Sequence, residues 1–200
     1  RFVRQLGTHS TLEMVATQQL GWLESLEDSR EEDETETFQE STDTGETIGR
    51  IDLTHEWSPT LSFAASLEGA FNFLESEARL EENGNPVTLP GSDVRIEEDR
   101  IEAALGATWK PAEDLVLEAG LRVENSSITQ TGDSPLQRRF TYPKPRVALR
   151  WDANASNQLR LSVSREVGQL EFSDFVASAS LDTGVVTAGN AELEPDKTWR

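Results

Sequence analysis

Residues 61–73 read LSFAASLEGAFNF. The odd positions are Leu61, Phe63, Ala65, Leu67, Gly69, Phe71 and Phe73, and the even positions are Ser62, Ala64, Ser66, Glu68, Ala70 and Asn72. Successive side chains of a strand point to opposite faces, so this stretch has one apolar face and one small or polar face. A helix would mix the two sets. At 13 residues it is longer than the roughly 9–11 that carry a tilted strand across a bilayer.

The same period returns on both sides of it. Leu12, Met14, Ala16, Leu20 and Trp22 alternate with Glu13, Thr17 and Gln19, and Gly49, Ile51, Leu53 and Trp57 with Arg50, Asp52, Thr54 and Glu56. Ile101, Ala103, Leu105, Ala107 and Trp109 oppose Arg100, Glu102 and Thr108, and Leu115 to Val123 oppose Glu118, Arg122 and Glu124. Val147, Leu149 and Trp151 oppose Arg146, Arg150 and Asp152, and Leu159, Leu161 and Val163 oppose Arg160, Ser162 and Ser164. The pattern predicts an all-β, antiparallel chain of about eight strands, with a ninth starting near Lys197.

The connections alternate in length. Short turns are expected at Gly7–Ser10, Ser58–Thr60, Pro111–Asp114 and Ala153–Gln158, and long polar loops at Asp28–Glu46, Arg79–Asp93, Asn125–Thr141 and Gln169–Asp196. Short turns at one end and long connections at the other describe the wall of an up-and-down transmembrane barrel, with periplasmic turns and extracellular loops. Trp57, Trp109 and Trp151 each stand on the apolar face just before a short turn. An indole has an apolar ring and an N–H that needs a polar partner, so three at one equivalent place read as a membrane-interface girdle.

Composition narrows the chemistry. With 18 Lys+Arg against 37 Asp+Glu the formal net charge is -19, which repels nucleic-acid phosphates and argues against DNA or RNA as a partner. The chain has no cysteine, so disulfide frameworks, thiolate metal sites and thiol nucleophiles are excluded together. No apolar run is long enough for a membrane helix, but a barrel hides its apolar residues at every second position. Neither HExxH, GxSxG nor a phosphate-binding glycine loop is present, and His9 and His55 lie near turns. No catalytic residue, cofactor or metal site is assigned, and no Ser–His pair can be identified. The run Glu31-Glu32-Asp33-Glu34-Thr35-Glu36 lacks the spacing of a calcium loop and reads as solvated. Arg100, Arg122, Arg146, Arg150, Arg160 and Arg165, with Glu102, Glu118, Glu124 and Glu166, are expected on the inward face, because ionised groups do not face lipid cheaply.

The last third carries a more specific pattern: TYPKPRVALR at Thr141–Arg150, then QLRLSVSREVGQLEFSDF, then VTAGNAELEPDKTWR. It resembles the barrel domain of TonB-dependent receptors, in which an "LRxSxSR" strand precedes a loop with "GN-x-x-L-x-P-(E/D)". The matching residues are Leu159, Arg160, Ser162, Ser164 and Arg165, then Gly189, Asn190, Leu193, Pro195 and Asp196. The rest of the chain matches in architecture alone. The resemblance implies a 22-stranded barrel plugged by a separate domain that meets TonB. On that reading residues 1–200 are an internal part of the barrel, without plug or final strands, and in isolation their edges and apolar face favour aggregation.

The expected function is energy-coupled uptake of a scarce ligand across the outer membrane, without covalent chemistry. The resemblance implies a siderophore, a cobalamin-like cofactor or an oligosaccharide as ligand, and membrane lipid and the TonB complex as partners. Arg138 and Arg139 are candidate contacts for an anionic ligand. Two other readings remain open at this point: a passive porin or structural barrel, and a soluble ligand-binding barrel with the apolar side turned inward.

Overall fold

The computed structural model describes residues 1–31, 34–89, 91–133, 135–168, 172, 178–180, 185–187 and 194–200. Among them there is no α-helix, and none long and apolar enough to cross a membrane. The strands are β1 (Phe2–Leu6), β2 (Ser10–Glu31), β3 (Glu34–Ser58), β4 (Leu61–Glu82), β5 (Asn85–Val87), β6 (Asp93–Ala112), β7 (Leu115–Gly132), β8 (Leu136–Asn154), β9 (Asn157–Val167), β10 (Ser178–Ser180), β11 (Val185–Thr187) and β12 (Lys197–Trp199). One antiparallel sheet runs β1-β2-β3-β4-β6-β7-β8-β9-β12, with β5 paired to β4 beside this path, and β10 and β11 form a separate hairpin. Every neighbour on the main path as far as β9 is also the neighbour in sequence apart from the short β5, so the sheet is an up-and-down meander. A β-sandwich would need a second sheet packed on the first, and the main sheet has none among the described residues.

The expected short turns are present, but the long polar stretches 28–46 and 125–141 are not irregular loops, and most of the expected loop 169–196 lies outside the described residues. β2 pairs with β3 without interruption from Ser10↔His55 to Glu31↔Glu34, and β7 with β8 from Leu115↔Trp151 to Gln130↔Leu136. The polar segments 28–46 and 125–141 are therefore mostly strand. They alternate as the membrane-crossing parts do, but with water available on the outer side, both faces can be polar. In the 79–93 segment Asn83 and Gly84 both have positive φ (53° and 76°), the backbone of a two-residue type I′ hairpin, which joins β4 to β5.

β4, β6, β7 and β8 each change character once along their length. On β4 the outward residues are Leu61, Phe63, Ala65, Leu67, Gly69, Phe71 and Phe73, then Glu75, Glu77, Arg79 and Glu81. The inward residues change the other way, from Ser62, Ser66 and Glu68 to the buried Leu74, Ala78 and Leu80. On β6 the outward change falls between Asp99 and Ile101, on β7 between Asn125 and Val123, and on β8 between Thr141 and Pro143. The boundary is not level in the strand register: Phe73 pairs with Glu97, whereas Ile101 pairs with Gly69 and Val123 with Ala103. A plane cutting tilted strands drifts in this way. From Ile101 to Trp109 the outward apolar segment is 9 residues, about 27 Å along the strand and roughly 21 Å at a tilt of about 40°.

Most large apolar side chains of this outward band have no protein over them; Leu105 is 69% exposed. The buried core lies beyond the boundary, on the inner face toward the long hairpins. There Leu74, Val94, Ile96 and Ile128 pack with Phe140 and Phe172, and Phe38, Ala78 and Leu80 pack under Leu89 and Val87. The inner face is concave, since single recesses on it are lined by strands from β3 to β8. Within the band the concave face carries the charges and the convex face the apolar side chains. That is the reverse of a soluble barrel with its apolar side turned inward, and removes that alternative.

Candidate functional site

The convex face supplies the anchor. Leu61 pairs with Trp109 and Trp109 with Leu117, while Trp151 lies between Leu115 and Leu159. Trp57 stands at the bulge where Ser58 pairs with Leu61, so the three indoles share the short-turn end of the band. Trp151 Nε1 donates to the Asp114 carboxylate at 3.2 Å, which satisfies its polar edge while the ring stays in the apolar zone. His55 joins the same region: its Nδ1 lies 2.8 Å from Ser10 Oγ and its ring meets Trp57 edge-on at 6.0 Å. The sequence reading missed this Ser–His pair, which cross-strand register creates. It faces outward, and no carboxylate among the described residues hydrogen-bonds His55, so the third group that orients a nucleophilic triad is missing.

The concave face inside the band carries a series of ion pairs, most of them between strands. Lys144 Nζ contacts Glu124 at 2.5 Å and Glu102 at 3.3 Å, Arg122 also reaches Glu102 at 3.2 Å, and Arg100 approaches Glu68 at 3.5 Å. Arg146 faces Glu118 at 3.9 Å and Arg150 faces Asp152 at 3.6 Å. Arg160 is on this face too, donating to Gln158, and Glu166 pairs with Arg200 at 3.2 Å. The Arg165 guanidinium donates to the Pro143 carbonyl at 3.0 Å and lines a recess with Arg146, Ser164 and Glu166. Prolines at 143 and 145 have no N–H to give a neighbouring strand, which leaves that carbonyl region open to a side-chain donor.

Just beyond the band the concave face holds a recess of about 380 Å³, lined among others by Glu46, Asn72, Glu98, Arg100, Tyr142 and Phe172. Phe140 and Tyr142 stack with centroids 5.7 Å apart and planes at 15°. Glu98 is fixed by Asn72 Nδ2 at 3.0 Å and Ser126 Oγ at 2.6 Å. Asn72 Oδ1 and the Tyr142 hydroxyl are buried without a hydrogen-bond partner. An unsatisfied buried polar group costs about 1–3 kcal/mol, so both are places where a bound molecule gains from supplying a hydroxyl.

The sequence matches the family described as "TonB dependent receptor-like, beta-barrel" over residues 3–199. The chain belongs to that family. No curated protein matches the sequence. Among solved structures it is similar to one titled "Crystal structure of ferric citrate transporter FecA in the unliganded form", with a TM-score of 0.59 and 10% identity over 86% of this chain. At that identity the likeness concerns the fold alone. The match takes in 27% of the FecA chain, so this TonB-dependent receptor-like segment spans about a quarter of it.

Within this member of the TonB-dependent receptor-like family the motif residues divide between the faces. Leu159 is outward opposite Trp151, and Arg160, Ser162 and Ser164 are inward opposite Arg150, Ala148 and Arg146. Gly189, Asn190 and Leu193 lie outside the described residues. Pro195 lines the recess and the Asp196 carbonyl accepts from Gly168 N at 2.9 Å. Arg138 and Arg139 are not brought together: Arg138 pairs with the buried, inward Ile128, and Arg139 with outward Ser127. Glu32 and Asp33 of the acidic run lie outside the described residues, and among those described no three His, Asp or Glu side chains converge to hold a metal.

Proposed function

We propose that the chain forms part of the wall of an outer-membrane receptor that moves a ligand inward, with the short turns in the periplasm and the long hairpins outside. The observation that carries this is the outward band. On four successive strands of a TonB-dependent receptor-like barrel, the outer face changes from apolar to polar while the inner face changes in the opposite sense. Lipid on one side and a hydrated lumen on the other account for both halves of that exchange. Residues 1–200 then belong to the barrel domain, with a plug domain and its TonB contact elsewhere in the protein. Ligand passage would need no covalent step, so the ion-paired concave wall serves to line a hydrated interior and to meet the plug.

The test is an immunoblot of fractionated native cells with an antibody against residues 27–46. The expected band is several times heavier than 22.2 kDa, confined to the outer membrane, and shifts in mobility on boiling. A band near that mass in the soluble fraction would overturn the proposal.

A further inference from the structure

We propose that the short-turn end of the convex face binds the phosphate of a glycerophospholipid of the periplasmic leaflet, held by Arg4, His55 and Trp57. This rests on the receptor reading above, which puts that end at the periplasmic side of the bilayer. The register places the residues. Leu6, Ser10 and His55 form one cross-strand row, and Arg4, Leu12 and Leu53 form the next row into the band. Arg4 lies directly opposite Leu12 and shares its outward parity. Among the described residues of β1–β4 it is the only Lys or Arg on the apolar part of the outward face. A guanidinium does not shed its charge, and on a lipid-facing surface it needs an anion. The nearby carboxylates do not serve: Glu13, Asp52 and Glu56 have inward parity, and the first two pair with Arg1 and Arg50. Arg4 is exposed, without a hydrogen bond or ion pair among the described residues.

Depth and neighbouring donors narrow the partner. Arg4 stands two residues from the end of β1, about 5 Å into the band at a rise of about 3.4 Å per residue and a tilt of about 40°. Its methylenes can follow the apolar surface while the guanidinium returns to headgroup level. There Ser10 Oγ and His55 Nδ1 are 2.8 Å apart, which leaves His55 Nε2 for another partner. The imidazole meets Trp57 edge-on, and the Trp57 N–H has no partner among the described residues. β1 and β3 are two strand spacings apart, about 10 Å, a gap that one phosphodiester and the arginine side chain bridge together. Leu6, Leu53 and Phe63 beside these donors are each at least 40% exposed and offer a surface for acyl chains. A glycerophospholipid has both the anion and the chains; a free phosphate has only the first.

The experiment is native mass spectrometry of the full-length receptor in detergent. The probes are phosphatidylglycerol, diacylglycerol as the same chains without phosphate, and inorganic phosphate. The expected result is a saturable phosphatidylglycerol adduct that diacylglycerol does not form and inorganic phosphate does not displace. Arg4→Gln should weaken it about tenfold or more, as loss of a charge-assisted hydrogen bond does, and His55→Leu and Trp57→Phe each several-fold. Arg79→Gln, outward on β4 but at the long-hairpin end, should leave it unchanged. Heat-dependent gel mobility shows that each variant is a folded barrel. Equal binding of diacylglycerol overturns the inference, and so does displacement by inorganic phosphate at matched concentration. Phosphatidylglycerol binding unchanged in Arg4→Gln overturns it too, and places the partner of Arg4 within the full-length barrel. All three leave the receptor reading standing, which fails separately, by soluble fractionation.

Discussion

Leu105 sits at the middle of the outward band, four residues from Ile101 and four from Trp109, with Ala65 and Leu121 as its cross-strand partners. It is 69% exposed, so few protein contacts depend on it and Leu105→Arg removes little packing. In water the substitution would change stability by less than about 0.5 kcal/mol, as surface changes generally do. In a bilayer an arginine at mid-depth on the lipid face costs about 2–4 kcal/mol, roughly 30- to 1,000-fold in the folded-to-unfolded ratio. Glu77→Arg is the matched control. It has the same outward orientation on β4, but lies beyond the boundary at Phe73, and is expected within about 0.5 kcal/mol of the parent. The assay is equilibrium refolding of the full-length protein from urea into lipid vesicles, followed by heat-dependent gel mobility. Equal midpoints for Leu105→Arg and Glu77→Arg would refute the assignment of this face to lipid.

Two further outcomes follow from single contacts. Trp151→Phe keeps the ring apolar but loses the N–H donated to Asp114, and should lower stability by about 0.5–1.5 kcal/mol in the same refolding assay; Asp114→Ala should add little to it in the double variant. Gly132 has φ +95°, and a Cβ there would lie 2.0 Å from the Asp93 carbonyl oxygen, so Gly132→Ala should destabilise by more than about 1 kcal/mol, whereas Gly49→Ala, with open space around it, should be nearly neutral by denaturant midpoint.

The membrane-crossing part was legible in the sequence because lipid demands one apolar face without interruption. Leu61–Phe73 needed only its parity to be read. Beyond the boundary the same rule misleads. At Phe73-Leu74 the apolar residues change parity, and Leu74, Ala78 and Leu80 continue on the inner face. Val94 and Ile96 precede Ile101 and Ala103 in the same way, and Phe140 and Tyr142 precede Val147 and Leu149. An apolar set that switches parity once inside a strand marks the place where the outer side leaves lipid for water. Judged by hydropathy alone, each such stretch looks like a polar loop. β-branched residues gave a second signal that it was strand: Thr35, Thr37, Thr42, Thr44 and Thr47 in the acidic hairpin suit an extended backbone. The Asn83-Gly84 turn was equally visible.

The recess was less legible. Its walls come from six strands, β2, β3, β4, β6, β7 and β8, and from Gly168, Phe172 and Pro195, and only the register sets Glu98 beside Asn72 and Ser126. The motif residues Leu159, Arg160, Ser162 and Ser164 occupy an alternating outward and inward strand, so their spacing encodes a face as well as a family.

The central claim is that the outer face crosses from lipid to water near Phe73. Residues 1–200 have no cysteine, so single cysteines at positions 61–81, in full-length protein with any cysteine elsewhere replaced by serine, can each carry a nitroxide label after reconstitution in lipid. Collisions with oxygen report lipid, and collisions with a water-soluble nickel chelate report solvent. The account predicts that odd positions from 61 to 73 favour oxygen and that odd positions from 75 to 81 favour the chelate. Odd positions that all favour the chelate, with no change near 73, would contradict it.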